Sequence, residues 1–185
     1  MDQITDLSKQ NQKTVERLAR GKAVGIDRIT GLVDTIKADF YAENPDVKPL
    51  EWSYGTTTIN GSTPPGKLLQ LQNSKTVVDE IVGDLHYLVT IGTREAGTRV
   101  GIHVHESGGT TFLVGGKGKI TDYVQGLPNA KHSLGGYYYM PANIPMSADN
   151  ETAKNTRLMD VFIYPVGGQP ITIIEPGYPG YNPPV

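Results

Sequence analysis

Apolar residues near the start of the chain recur at the three- and four-residue steps that are typical of a helix. The spacing begins with Ile4 and Leu7 and is clearest further along, at Ile26, Ile29, Leu32, Val33, Ile36 and Phe40. Gly21 and Gly25 interrupt the pattern, and no proline occurs before position 45. We therefore predict a helical segment over residues 1–44, broken into two helices that pack on the rest of the chain or in a dimer.

From about Leu50 onward the pattern changes to short runs in which apolar and polar residues alternate. The clearest run places four apolar residues on one face of a strand: Leu85, Tyr87, Val89 and Ile91. Glycine pairs such as Gly115-Gly116 and Gly135-Gly136 separate the runs and mark turns. About ten short strands divided by such turns indicate a β-sandwich or barrel, which we assign to residues 45–175.

The last ten residues, 176–185, are rich in proline, glycine and tyrosine. Proline cannot donate a hydrogen bond within a central strand, and it disrupts a helix interior. We expect this tail to run extended over the surface of the barrel or across a partner subunit.

Composition narrows the classes of function without naming one. The 185 residues hold 17 basic and 19 acidic side chains, a formal net charge of −2, and no cysteine. This balance argues against a nucleic-acid binder or a membrane-surface protein that relies on bulk positive charge, and the missing thiols exclude disulfides and cysteine-ligated metals. No apolar run approaches the roughly 18 residues that span a bilayer, and no apolar signal core follows Met1, so we expect a cytoplasmic protein.

The most informative local pattern is the histidine pair His103 and His105. Residues two apart in a strand share a face, so both imidazoles are expected to point the same way. Two imidazoles on one face can chelate a metal ion, or one can act as a general base while the other anchors a ligand.

Around this pair, the stretch over residues 85–165 resembles the cupin superfamily, whose two sequence motifs it matches at seven positions. The matching residues are Gly97, His103, His105 and Gly116 in the first motif, and Gly135, Pro141 and Asn150 in the second. The resemblance implies an all-β, cupin-like double-stranded β-helix (jelly-roll) barrel with an N-terminal helical segment. It also implies a homodimer, and it leaves open whether the barrel serves an enzyme, a binding protein or a structural module.

Two departures from the cupin pattern matter for function. Metal-binding cupins typically add a first-motif glutamate and a second-motif histidine to the two histidines. Gly109 stands at the glutamate position here, and Met146 stands at the histidine position. Half of the expected ligand set is therefore missing, whereas mononuclear catalytic sites generally use about three protein ligands.

Three interpretations remain open. In the first, His103 and His105 hold a divalent transition metal with substitute ligands. Glu106 could be redirected by the turn that follows it, and a sulfur ligand from Met146 would favour copper. Other substitute ligands that we weigh are His86, His132 and Asp160.

In the second interpretation no metal is bound. A histidine of the pair acts as a base, and Tyr123 or Tyr139 acts as an acid or a hydrogen-bond donor. The third interpretation is a degenerate, non-catalytic cupin acting as a sensor, binding or structural module, which predicts an occluded or featureless pocket. We favour a small-molecule ligand in the barrel, with His103 and His105 as the residues that carry the function.

Overall fold

The computed structural model describes residues 7–185, so the Ile4 end of the predicted helical pattern lies outside the described residues. Within residues 7–185 two helices are followed by twelve strands. The helices are α1 (Lys9–Ala19) and α2 (Ile26–Glu43). The strands are β1 (Lys67–Leu68), β2 (Gln72–Val82), β3 (Leu85–Arg94), β4 (Thr98–Arg99), β5 (His103–Val104), β6 (Gly109–Gly116), β7 (Ile120–Val124), β8 (Ala130–His132), β9 (Tyr137–Met140), β10 (Met146–Asp149), β11 (Thr156–Pro165) and β12 (Thr172–Ile173).

Local sequence features account for both ends of α1. The Ser8 hydroxyl caps α1 by accepting a hydrogen bond from the Asn11 N–H at 3.2 Å. Gly21 takes a φ of +67°, a left-handed conformation that glycine adopts without a steric penalty, directly after α1. The predicted division of the helical segment into two helices is confirmed.

The strands form two sheets. One has five strands in the order β2-β3-β11-β6-β9, and all neighbours in it are antiparallel. The other has seven strands, with a path β1-β4-β10-β5-β12 and with β7 joining β10 to β8. Residues of both sheets line one cavity between them, as expected for the predicted jelly-roll barrel.

Strands β3 and β11 of the five-stranded sheet are largely covered on both faces. On β3, the alternating Tyr87, Val89 and Ile91 pack against α1 and α2 rather than into the barrel. The Thr30 hydroxyl of α2 lies 3.1 Å from the Tyr87 hydroxyl and links helix to sheet. The opposite face of the sheet, which includes Leu158 and Phe162 of β11, points into the barrel. The helical segment therefore determines which strand positions face the cavity.

The chain beyond β12 returns along the seven-stranded sheet. Glu175 accepts two hydrogen bonds from the buried guanidinium of Arg99, and Tyr178 then packs directly over Gly101. A Cβ at position 101 would come within 2.7 Å of the Tyr178 side chain, so glycine allows this close approach. Neither helix in residues 7–185 has the length and apolar character needed to cross a membrane.

Candidate functional site

The barrel contains a cavity of about 800 Å³ between its two sheets. Its wall is formed by apolar side chains that are interrupted by a few polar groups. The apolar part includes Leu71, Val100, Met140, Met146, Ala148, Leu158, Phe162 and Ile173. The polar part includes Arg94, His103, His105, Thr111, Tyr138, Asp160 and Tyr178. A cavity of this size and character can hold a small organic molecule.

The two histidines come from a central position of the seven-stranded sheet. His103 pairs with Met146 of β10 on one side and with Ile173 of β12 on the other. His105 follows two residues later, and both side chains line the cavity and are almost fully buried. Both imidazoles therefore face the cavity, and His103 lies directly beside Met146 in the sheet.

Backbone carbonyl groups set the orientation of both imidazole rings. The Nδ1 atom of His103 lies 2.7 Å from the Gly101 carbonyl oxygen, and the Nδ1 atom of His105 lies 2.7 Å from the Pro170 carbonyl oxygen. A carbonyl oxygen only accepts hydrogen bonds, so each Nδ1 must carry the donated hydrogen. In the neutral rings, each Nε2 is therefore unprotonated. These two Nε2 atoms lie 3.1 Å apart.

Burial keeps both rings neutral. Loss of solvent lowers the pKa of His103 to about 3, and the charges of His105 and Arg94 act in the same direction. Burial likewise lowers the pKa of His105 to about 4, although its hydrogen bond to Pro170 opposes this. At neutral pH two nitrogen lone pairs thus face each other across 3.1 Å. Such an arrangement is repulsive unless a cation lies between or beside them.

The donor pair fits a transition-metal ion as two adjacent ligands. Imidazole nitrogens bind such ions at about 2.0–2.1 Å, and two adjacent ligands at that distance are roughly 3.0–3.4 Å apart. In residues 7–185 no group of three or more histidine, cysteine, aspartate and glutamate side chains is close enough together to hold a metal ion. The described cavity therefore offers two protein nitrogens, and Met146 is the neighbouring side chain that could add a sulfur atom.

The substitute ligands weighed from the sequence are dispersed. Asp160 lines the cavity, and its carboxylate accepts a 2.6 Å hydrogen bond from the Thr111 hydroxyl. Glu106 is exposed and lies at a separate surface pocket of about 430 Å³. His86 pairs with Asp79 at 2.5 Å, and His132 pairs with Asp122 at 2.7 Å. Neither of these two histidines lines the cavity.

The structure does not bring the two tyrosines named as candidate acids to the histidine pair. Tyr139 lies on the helix-facing side of β9, with its ring centroid 5.1 Å from that of Phe40 in α2. Its neighbour Tyr138 takes the cavity side instead. Tyr123 lies on the outer face of the seven-stranded sheet, where its hydroxyl donates to Asp149 at 3.0 Å. Burial raises the pKa of both Tyr123 and Tyr139 above its ordinary value.

The sequence patterns did not single out Arg94 and Tyr178, which are among the polar residues of the cavity. Arg94, at the end of β3, lies on the face opposite the apolar Tyr87, Val89 and Ile91. Those apolar residues face the helices, so Arg94 points into the barrel. The sequence did carry a signal for this orientation: the apolar face of α2 must pack on an apolar surface, and the face of β3 with Tyr87, Val89 and Ile91 provides one. For Tyr178, which reaches the cavity from the C-terminal tail, the sequence carried no signal.

Comparisons with known proteins found similar solved structures but no matching sequence family. No protein-family profile matches the chain, and no curated protein matches it. Among solved structures, a double-stranded β-helix protein from Klebsiella pneumoniae is 17% identical with a TM-score of 0.44, covering 69% of this chain and 99% of its own. A cupin-like protein from Thermotoga maritima is 17% identical with a TM-score of 0.40, covering 60% and 77%.

A structure described as a DMSP lyase is 21% identical with a TM-score of 0.40, covering 47% of this chain and 43% of its own. This chain therefore spans less than half of that protein. Similarity at this level concerns the fold alone. The two-sheet topology, with the histidine pair on an inner face, is the cupin-like double-stranded β-helix that the sequence motifs predicted.

Proposed function

We propose that this protein binds a small molecule in its barrel cavity, at a transition-metal ion held by His103 and His105. The observation that carries the proposal is the pair of buried Nε2 atoms, 3.1 Å apart, on rings whose Nδ1 atoms face backbone carbonyl oxygens. A bound ion would supply Lewis-acid chemistry, polarising a donor atom of the ligand. The chain itself supplies the two nitrogens, the carbonyls that orient them, and a largely apolar enclosure that limits water.

The hydrogen bonds behind the histidines support this proposal. A histidine that binds a metal usually donates its other ring N–H to a carbonyl or carboxylate, which fixes the tautomer and the ring orientation. Gly101 and Pro170 provide such carbonyl oxygens, each at 2.7 Å. Both rings are therefore oriented for ligation before any ion arrives.

The alternative functions receive less support from the same residues. A general base works best when its pKa lies near the operating pH, whereas the pKa values of His103 and His105 are lowered to about 3 and about 4. A degenerate structural module would have an occluded or featureless pocket. The cavity of about 800 Å³, with polar groups set in an apolar wall, favours ligand binding instead.

The donor atoms limit which metal ions the site would bind. Imidazole nitrogen suits zinc, copper, iron and nickel, whereas calcium and magnesium prefer oxygen ligands. Sulfur ligation by Met146 would select Cu(I) among these, because a thioether is a soft ligand. Cu(I) in the purified protein would therefore make Met146 a candidate third ligand, whereas zinc, iron or nickel would leave it a packing residue.

The test is the metal content of protein purified without chelators. His103→Gln and His105→Gln each remove one nitrogen ligand while keeping a polar side chain of similar length. His86→Gln is the matched control, because His86 lies outside the cavity. We expect near-stoichiometric metal in the wild type and the control, and loss of the metal in both cavity variants.

Thermal unfolding of all four proteins separates loss of the metal from loss of the fold. A wild type that stays free of metal after incubation with iron, zinc, copper, manganese and nickel would contradict the proposal. Equal metal content in the wild type and in a folded cavity variant would contradict it as well.

A further inference from the structure

Arg94 is a buried arginine whose side chain lies in the wall of the cavity. One nitrogen of its guanidinium, Nη1, donates to the Leu69 carbonyl oxygen and lies 3.5 Å from the Thr98 hydroxyl. Both of these acceptors are uncharged. They hold one edge of the group and leave its positive charge without a counter-ion.

The rest of the cavity does not neutralise that charge. Within residues 7–185 no carboxylate lies within 4 Å of the Arg94 side-chain nitrogens. Asp160 is the one acidic residue among the described residues of the wall. Burial raises the pKa of Asp160, against the hydrogen bond from Thr111 and the charge of Arg94, and so disfavours its ionised form. A buried positive charge without a partner is costly, so binding of an anion beside the guanidinium is favoured.

The tail supplies a second polar group next to Arg94. The Tyr178 ring packs over Gly101. Burial raises the pKa of the Tyr178 hydroxyl, and the positive charge of Arg94 acts on that hydroxyl to lower it. Pro179, Gly180 and Asn182 continue the same wall of the cavity. Arg94 and Tyr178 therefore add two polar groups to a cavity wall that also holds the histidine pair.

We propose that the ligand of this cavity is a small organic acid whose carboxylate binds Arg94 beside Tyr178. The inference rests on the proposed function, since it places the rest of the acid next to the histidine pair. A carboxylate matches the planar fork of a single guanidinium. A phosphate ester carries more charge than one arginine balances, and the cavity wall holds no second cationic residue among those described.

The probes for the test are benzoate, 3-phenylpropionate, succinate and 2-oxoglutarate, each compared with its neutral amide, together with inorganic phosphate. Affinities are measured by ligand-observed NMR on protein stripped of metal with a chelator, and again after metal loading. Stripping prevents a carboxylate from binding to the ion instead of to Arg94. For at least one acid, we expect the stripped wild type to bind it tenfold or more tightly than its amide.

Three variants assign that preference to Arg94. Arg94→Gln should abolish the preference for acid over amide, and Tyr178→Phe, which removes only a hydroxyl, should weaken it. Arg157→Gln makes the same charge change at an exposed position of β11 and should leave it unchanged. Thermal unfolding verifies that each variant is folded, and Tyr178→Phe provides the decisive comparison if Arg94→Gln does not fold.

The outcomes separate this inference from the proposed function. Three results would overturn the inference: acids that bind no better than their amides, phosphate that binds more tightly than any acid, or a folded Arg94→Gln or Tyr178→Phe variant that keeps the full acid preference. If the histidine pair still binds metal in that case, the proposed function stands. An Arg94-dependent preference for acids in a protein that takes up no metal would support the inference and contradict the proposed function.

Discussion

Arg99 and Glu175 form a buried two-pronged ion pair that joins the C-terminal tail to the strand before the histidines. The Arg99 Nη1 and Nη2 atoms lie 2.6 and 2.7 Å from the two carboxylate oxygens of Glu175. The Ile102 N–H donates to the same carboxylate at 2.7 Å, one residue before His103. One carboxylate thus holds both the tail that carries Tyr178 and the backbone that carries the histidine pair.

Glu175→Gln should lower the free energy of unfolding by about 3–5 kcal/mol, because it leaves the buried Arg99 charge without its partner. Urea denaturation of the wild type and the variant measures this. Glu151→Gln is the control, since Glu151 lies 3.9 Å from Lys131 in an exposed pair and should cost no more than about 1 kcal/mol. Equal costs for the two variants would mean that the Arg99–Glu175 pair does not anchor the tail.

Gly101→Ala should destabilise the protein by about 1–3 kcal/mol and weaken the acid preference of the cavity, because the new methyl group displaces the Tyr178 ring. Gly31→Ala provides the contrast. Nothing lies within 4 Å of the added Cβ in α2, so that variant should be neutral or slightly more stable. A Gly101→Ala protein with unchanged stability and unchanged acid binding would show that Tyr178 is not packed on Gly101 in solution.

Asp149 should make stability depend on pH. Its side chain is buried on the outer face of the seven-stranded sheet, and burial raises its pKa to about 6. The folded state therefore binds this proton more tightly than the unfolded chain does, and the free energy of unfolding falls as the pH rises from about 4 to about 6. Asp149→Asn removes this dependence and keeps an acceptor oxygen for the Tyr123 hydroxyl.

The free energies of unfolding of the wild type and Asp149→Asn are compared at about pH 4 and about pH 7. Between these values the variant should gain about 2–3 kcal/mol relative to the wild type. Asp46→Asn makes the same charge change at an exposed position and should give a difference that varies much less with pH. A difference for Asp149→Asn that does not change with pH would contradict the raised pKa.

Local sequence patterns predicted the elements and the histidine pair, because both depend on neighbouring residues. Helix periodicity, glycine turns and the alternation of a strand are local, so the two helices and the shared face of His103 and His105 could be predicted. The choice between the two faces of a strand is not local. It depends on the helices that cover one side of the five-stranded sheet, and this is why Tyr138 and Arg94, rather than Tyr139, reach the cavity.

Contacts between distant parts of the chain could not be predicted either, because they do not depend on local sequence patterns. Tyr178 contacts Gly101 from 77 residues away, and Glu175 pairs with Arg99 from 76 residues away. An extended tail was predicted from its prolines and glycines, whereas its place in the cavity wall depends on these long-range contacts.

The most direct test of the central claim is anomalous X-ray diffraction from crystals of the untagged protein, grown without chelators and soaked in a zinc salt. A single anomalous peak about 2.0–2.1 Å from the Nε2 atoms of both His103 and His105 is the predicted result. Peaks only at His86, at His132 or at the surface would contradict the account, and so would an ion bound by one cavity histidine while the other turns away.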